Sequence, residues 1–139
     1  MDWYTTAAKK LLDNDYDLAA DTIKCSIHAY GYTYSAAHDF YDDITSEVSG
    51  TNYTSGGISL ANKSTSAADP SVFDADDITI AQSGSGFTTG RNLVLRKDTG
   101  TAATSPVICR FGAAADFGNV SGALTIQWSA TGIIRCDLQ

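Results

Sequence analysis

Between Arg91 and Phe111 the chain alternates, turns on a short polar segment and alternates again, a pattern that a β-hairpin satisfies and a helix does not. Leu93 and Leu95 fall on one side of the first run; Asn92, Val94 and Arg96 fall on the other. That is the two-residue period of a strand with one buried face. Lys97-Asp98-Thr99-Gly100-Thr101 reverses the direction, with Gly100 free to take positive φ and the Asp98 carboxylate able to accept a backbone N–H. Val107, Cys109 and Phe111 make the apolar side of the return run, opposite Ile108 and Arg110. Pro106 opens it, where a missing donor is tolerated. The expectation is a hairpin whose Leu93, Leu95, Val107, Cys109 and Phe111 face the core. Val94, Arg96 and Arg110 then face solvent or a partner.

The rest of the chain is read around that hairpin. Ala7, Ala8, Leu11 and Leu12 recur at spacings of three and four, which predicts a short helix over Tyr4–Leu12. Thr5 or Thr6 is placed to cap its start. Ile23, Cys25 and Ile27 alternate with Lys24, Ser26 and His28 in a second clear strand over Asp21–His28. A short helix over Ala36–Asp43 and a brief strand over Ile44–Val48 follow. Further strands are expected at Ile58–Lys63, Val72–Asp74, Ile78–Ala81, Ala123–Trp128 and Ile133–Asp137. Ser64–Ser71, with Pro70, reads as a turn, Gln82–Thr89 as a flexible Gly/Ser link and Gly112–Gly122 as a small-residue loop. Seven or eight short strands without alternating helices point to an antiparallel β-sandwich or a jelly-roll-like or barrel domain. One domain spanning residues 1–139 is expected, with 1–18 as a helix or arm and 21–137 as the sandwich.

Charge narrows the partners. The chain carries a formal net charge of −7, which argues against nucleic acid or an anionic membrane as the main partner. Residues 1–80 hold 13 acidic and 4 basic side chains, whereas 81–139 hold 3 and 5. Such polarity can orient docking or self-association. Three cysteines, at 25, 109 and 136, cannot all pair within one chain. With no CxxC and no secretory apolar run, the reading is a product of a reducing cytoplasm.

A search for chemistry returns little. His38 and Asp42 would share one face of a helix, with Asp39 and Asp43 nearby; an acidic, dipole-favoured helix start explains them better than a metal site. Asp13, Asp15 and Asp17 have the opening spacing of an EF-hand loop, but Leu18 and Lys24 stand where glycine and glutamate are required. Asp69, Asp74, Asp76 and Asp77 form a further acidic run read as solvated turns. No GxSxG elbow supports a Ser-His-Asp triad, and no lysine-bearing phosphate loop follows the glycines at 84, 86 and 90. The many aspartates fall in turn-like runs rather than as paired carboxylates of a glycosidase cleft. Tyr30, Tyr32, Tyr34, Phe40 and Tyr41 cluster within a dozen residues, either as half-buried rings or as a contact surface of the kind tyrosine favours.

Several segments, in order and spanning 21 to about 128, resemble a family of small structural proteins of tailed bacteriophages. They are Asp21-Thr22-Ile23-Lys24, His38-Asp39-Phe40-Tyr41-Asp42-Asp43 and Glu47 to Gly57 (EVSGTNYTSGG). Phe73 to Thr79 (FDADDIT), Lys97 to Pro106 (KDTGTAATSP) and Leu124-Thr125-Ile126-Gln127-Trp128 continue the series. The Gly/Ser-rich Gln82–Gly90 and the polar first twenty residues depart from that pattern. The resemblance implies a virion component, either a capsid cement (decoration) protein or a tail-associated protein, and the search for chemistry above adds the expectation that it is non-enzymatic, without cofactor or metal. On the first reading the protein sits on the capsid exterior. It binds the major capsid protein and further copies of itself, and neither nucleic acid nor membrane. Its candidate docking residues are Arg96, Arg110, Val94, Tyr30, Tyr32 and Tyr34. The alternative is a tail-fibre or tail-tip module that touches the host surface through the Tyr30–Tyr41 loop.

Overall fold

The computed structural model describes residues 1–67 and 70–137. Its centre is a five-stranded antiparallel sheet in the order β1-β8-β7-β2-β3. The strands are β1 (Asp2–Trp3), β2 (Ile23–Ala29), β3 (Ile58–Ser59), β7 (Gly90–Lys97) and β8 (Val107–Phe117). The hairpin expected from alternation is the β7–β8 pair, with Leu95 opposite Cys109 and Val94 opposite Arg110. β2 flanks it on the other side, placing Cys25 beside Leu95 and Ser26 beside Val94.

Two smaller antiparallel sheets form a second layer. One joins β4 (Ser64–Ser66), β5 (Ser71–Asp74) and β10 (Ile134–Cys136); the other pairs β6 (Ile78–Ile80) with β9 (Leu124–Ile126). Phe73, Ile78, Ile80, Ile126, Ile133 and Ile134 are buried in the same core cluster as Ile23, Cys25, Ile27, Leu95 and Cys109. The molecule is mainly β, with one short helix and a sandwich-like arrangement, as the residue pattern predicts.

That helix, α1, spans Thr5–Leu12. Tyr4, Ala7 and Leu11 lie at i, i+3 and i+7, the narrow stripe that faces the core, with Tyr4 and Ala7 fully buried. Ala8 and Leu12 fall on the adjacent stripe, and both are exposed. Neither threonine caps the helix: Tyr4 is the N-cap and no side chain bonds the first turn.

Several expectations change: the strand expected over Ile44–Val48 is reduced to a single bridge between His28 and Glu47, and the loop expected over Gly112–Gly122 is strand as far as Phe117. The helix at 36–43 is absent apart from a single 3₁₀ turn over Tyr41–Asp43. The backbone there is committed to pairing across to the hairpin instead. Tyr41 N–H donates to the Ser105 carbonyl at 2.9 Å, and Val107 N–H to the Asp39 carbonyl at 3.1 Å. The strand expected over 58–63 shortens to two residues, and the turn expected over 64–71 contains β4 and the start of β5. Ala68 and Asp69 lie outside the described residues. Along the edge of β2 beyond β3, residues 44–53 substitute for a strand. Val48 N–H donates to the Ile27 carbonyl at 3.0 Å, and Ile27 N–H donates to the Tyr53 hydroxyl at 2.9 Å.

The Gly/Ser link over Gln82–Thr89 is pinned rather than loose. Asn119 is fully buried. Its side-chain carbonyl accepts from Phe87 N–H at 3.0 Å, and its amide donates to the carbonyls of Thr51 (3.0 Å) and Ala81 (2.9 Å). Gly118 permits this approach, because a Cβ there would lie 1.9 Å from the Phe87 carbonyl oxygen.

Candidate functional site

Of the residues singled out for docking, Val94 and Arg96 are not on the surface. Val94 is fully buried and Arg96 is only 3% exposed. The face opposite the apolar core is itself covered. Residues 30–57 fold over it as a lid of loops rich in tyrosine.

Arg96 shows how that second interior is built. Its guanidinium lies 3.6 Å from the centroid of the Tyr41 ring, a cation–π contact that gains strength when water is excluded. One Nη donates to Asp98 Oδ1 at 3.3 Å, while Lys24 holds the other Asp98 oxygen at 2.7 Å. Lys24, together with Arg96, holds the Asp98 carboxyl below the usual carboxylate range. Among the described residues, Arg96 Nε and Nη1 and the Tyr41 hydroxyl are buried without a hydrogen-bond partner. The aromatic face therefore carries compensation that hydrogen bonds would otherwise supply.

Beside it lies a neutral histidine. His28 is fully buried, and its Nδ1 sits 2.8 Å from the Thr45 carbonyl. A carbonyl only accepts, so the proton resides on Nδ1. Nε2 then accepts from the Ser26 hydroxyl at 2.8 Å. Burial holds the His28 pKa below its ordinary value, and the Arg96 charge lowers it further. Ser26 and His28 thus have the spacing of a hydrolase dyad, yet both are fully buried. Their bond satisfies two polar groups of the interior.

Glu47 completes the lid. Its Oε1 accepts from the Tyr53 hydroxyl at 2.7 Å and from Gly56 N–H at 2.8 Å. The chain then turns through Gly57 at φ +78°, where a Cβ would sit 2.6 Å from the Cys25 carbonyl oxygen.

Arg110 lies on the same face nearer the edge. It donates from Nε to Asn92 at 2.8 Å and pairs with Asp2. Its side chain retains 24% exposure but is committed to these partners. The tyrosines divide similarly. Tyr32 is buried, with its hydroxyl 2.8 Å from that of Tyr4, and Tyr34 is half-buried against Tyr4 and Arg110. Only Tyr30, 76% exposed, is a surface ring, and Arg91 lies over it at 5.5 Å. The expected tyrosine contact surface is thus mostly interior.

Cys25 and Cys109 are buried free thiols, whereas Cys136 is exposed and free. Burial raises the Cys25 thiol to about 12, which removes the thiolate needed for nucleophilic chemistry. The acidic runs have local duties: Asp17 Oδ1 accepts from Ala19 and Ala20 N–H, and Asp43 Oδ2 from Asp39 N–H. Among the described residues no three His, Cys, Asp or Glu side chains converge as a metal-binding group. No described helix is long and apolar enough to cross a membrane.

The surface that sequence reasoning missed runs along α1. Leu12 is 88% exposed. A hollow of about 420 Å³ beside it is lined by Trp3, Ala8, Leu11, Leu12 and Cys136, with Arg135 as its one charged member. A second, of about 220 Å³, continues past Leu11 and Cys136 to Leu18, Val72 and Ile134. The signal was the adjacent pair Leu11-Leu12. Consecutive helical residues diverge by about 100°, so a helix docked through Leu11 must display Leu12.

No family model, no curated protein and no solved structure matches this chain.

Proposed function

We propose that the protein is a non-enzymatic structural component of a tailed-phage virion. In this reading it decorates the capsid exterior and stabilises the lattice by bridging major capsid subunits. The ordered sequence resemblance from 21 to about 128 supplies the prior. The observation that carries the reading is the apolar strip on α1, centred on Leu12 at 88% exposure. An apolar surface of this kind, continuous over two hollows, is what a chain retains when another protein covers it. The strip takes the docking role from Arg96 and Val94, which are interior. Contacts repeated over many copies allow each one to be weak.

The experiment is sedimentation of the purified protein with DNA-filled heads. The expected result is co-sedimentation in fixed stoichiometry to the major capsid protein. Leu12→Glu should reduce occupancy severalfold while leaving the melting temperature of the free protein unchanged. Recovery only in tail fractions would overturn the capsid assignment in favour of a tail module. Full occupancy with Leu12→Glu would remove α1 as the docking face.

A further inference from the structure

Beyond β9 the chain turns outward through Gln127, Trp128 and Ser129, and the indole there is held by one acidic turn. Asp77 Oδ1 accepts from the Trp128 backbone N–H at 2.8 Å, and the Asp76 carbonyl accepts from the indole N–H at 3.0 Å. Phe111 supports the ring at 5.9 Å between centroids. A half-buried tryptophan fixed at three points pays little entropy when a ligand settles on it.

Next to it is an open hollow of about 500 Å³ lined by Asp74, Asp77, Gln127, Trp128 and Ser129. That volume falls within the roughly 300–1,000 Å³ of small-molecule sites. A second hollow, of about 330 Å³, also borders Trp128, beside Phe111 and Leu93. Among the described residues no lysine or arginine lines the first hollow, so an anion is disfavoured. The groups available are carboxylate acceptors, an amide that both donates and accepts, a hydroxyl and an aromatic ring. A polyhydroxylated ring matches that set. Its hydroxyls donate to carboxylates and accept from the amide, and its C–H face meets the negative face of the indole.

We propose that the Trp128 groove is a saccharide-binding subsite. A single pyranose ring lies against Trp128, with hydroxyls directed to Asp74, Asp77 and Gln127. The groove shares no residue with the α1 strip, so the inference stands whether or not the protein decorates a capsid. A divalent cation is the competing ligand for the two carboxylates, although no third His, Cys, Asp or Glu side chain converges there among the described residues.

The chain has two tryptophans, so ¹⁵N-labelled protein gives two indole N–H signals. Titration with methyl glucoside, methyl galactoside and N-acetylglucosamine, and separately with calcium chloride, tests the assignment. The expected result is a saturable, millimolar shift of the Trp128 signal with at least one sugar and a stationary Trp3 signal. Asp74→Ala and Gln127→Ala should each weaken that response about tenfold, the loss of one good polar contact, with the melting temperature unchanged. A Trp128 signal that no sugar moves would overturn the proposal. So would a response to calcium alone, or a sugar response indifferent to both substitutions.

Discussion

The two faces of the central sheet are made by the same strands and bury their residues equally, yet they are held by different forces. On one face Ile23, Cys25, Ile27, Leu95 and Cys109 are fully buried against the smaller sheets and α1. Their stabilisation comes from removing apolar area from water; it is non-directional and independent of pH. On the other face Ser26, His28, Asn92 and Arg96 are 0–3% exposed under a lid of loops. Each polar group there is a cost unless it finds its partner. His28, Ser26 and Glu47 find theirs; part of Arg96 and the Tyr41 hydroxyl do not. One face is stable by default, and the other only while its charges and protons stay as they are.

The comparison breaks most visibly at Arg96. Arg96→Glu puts an unpaired carboxylate under Tyr41 and should cost about 3–5 kcal/mol, the range for disrupting a buried charge, measured by urea unfolding. Arg96→Met should cost clearly less, because it also removes the two unpartnered nitrogens, Nε and Nη1. Leu95→Ala on the opposite face should cost about 3 kcal/mol through lost burial and a cavity, with no dependence on pH. The third difference is a proton. His28 titrates in the folded protein below its ordinary value, so below about pH 6.5 the unfolded chain binds a proton that the folded chain does not. Stability should therefore be complete above that pH and fall below it, by at most about 1.4 kcal/mol per pH unit. His28→Gln should flatten that slope whatever its effect on the midpoint. The smallest effect belongs to the surface: Tyr30→Ala should shift stability by no more than about 0.5 kcal/mol, read from the same unfolding curves.

Much of the sheet was legible because alternation is a backbone property. Leu93, Leu95, Cys109 and Phe111 fall on one side and Val94 and Arg110 on the other, as alternation predicts, whereas a register shift between Leu95 and Arg96 sets Val107, expected on the core side, opposite Arg96. What alternation cannot report is whether the second side is covered. A lid made of Tyr32, Tyr41, Glu47 and Tyr53 has no period, and its polar residues read as solvent-facing until their partners are known. For the same reason the 36–43 segment read as a helix: its spacing allowed one, while pairing to residues 105 and 107 far along the chain decided otherwise. Asn119 left no trace at all, since a single asparagine in a glycine loop is an ordinary turn residue. β4, Ser-Thr-Ser with all three residues exposed, has no apolar member to mark it. The α1 strip is legible in the adjacent pair Leu11-Leu12, because spacings of three and four predict the helix without saying which of its two apolar stripes docks.

The nitrogen chemical shifts of the His28 ring, followed from pH 8 downward at low temperature, test most directly whether the polar face is an interior. A dry, enclosed His28 should remain the neutral Nδ1–H tautomer through about pH 6.5, the value at which an unperturbed imidazole is half charged. It should change only at lower pH or when the fold is lost. An ordinary titration centred near that value, with both nitrogens becoming protonated while the sheet stays intact, would contradict the account and return Arg96 and its neighbours to the surface.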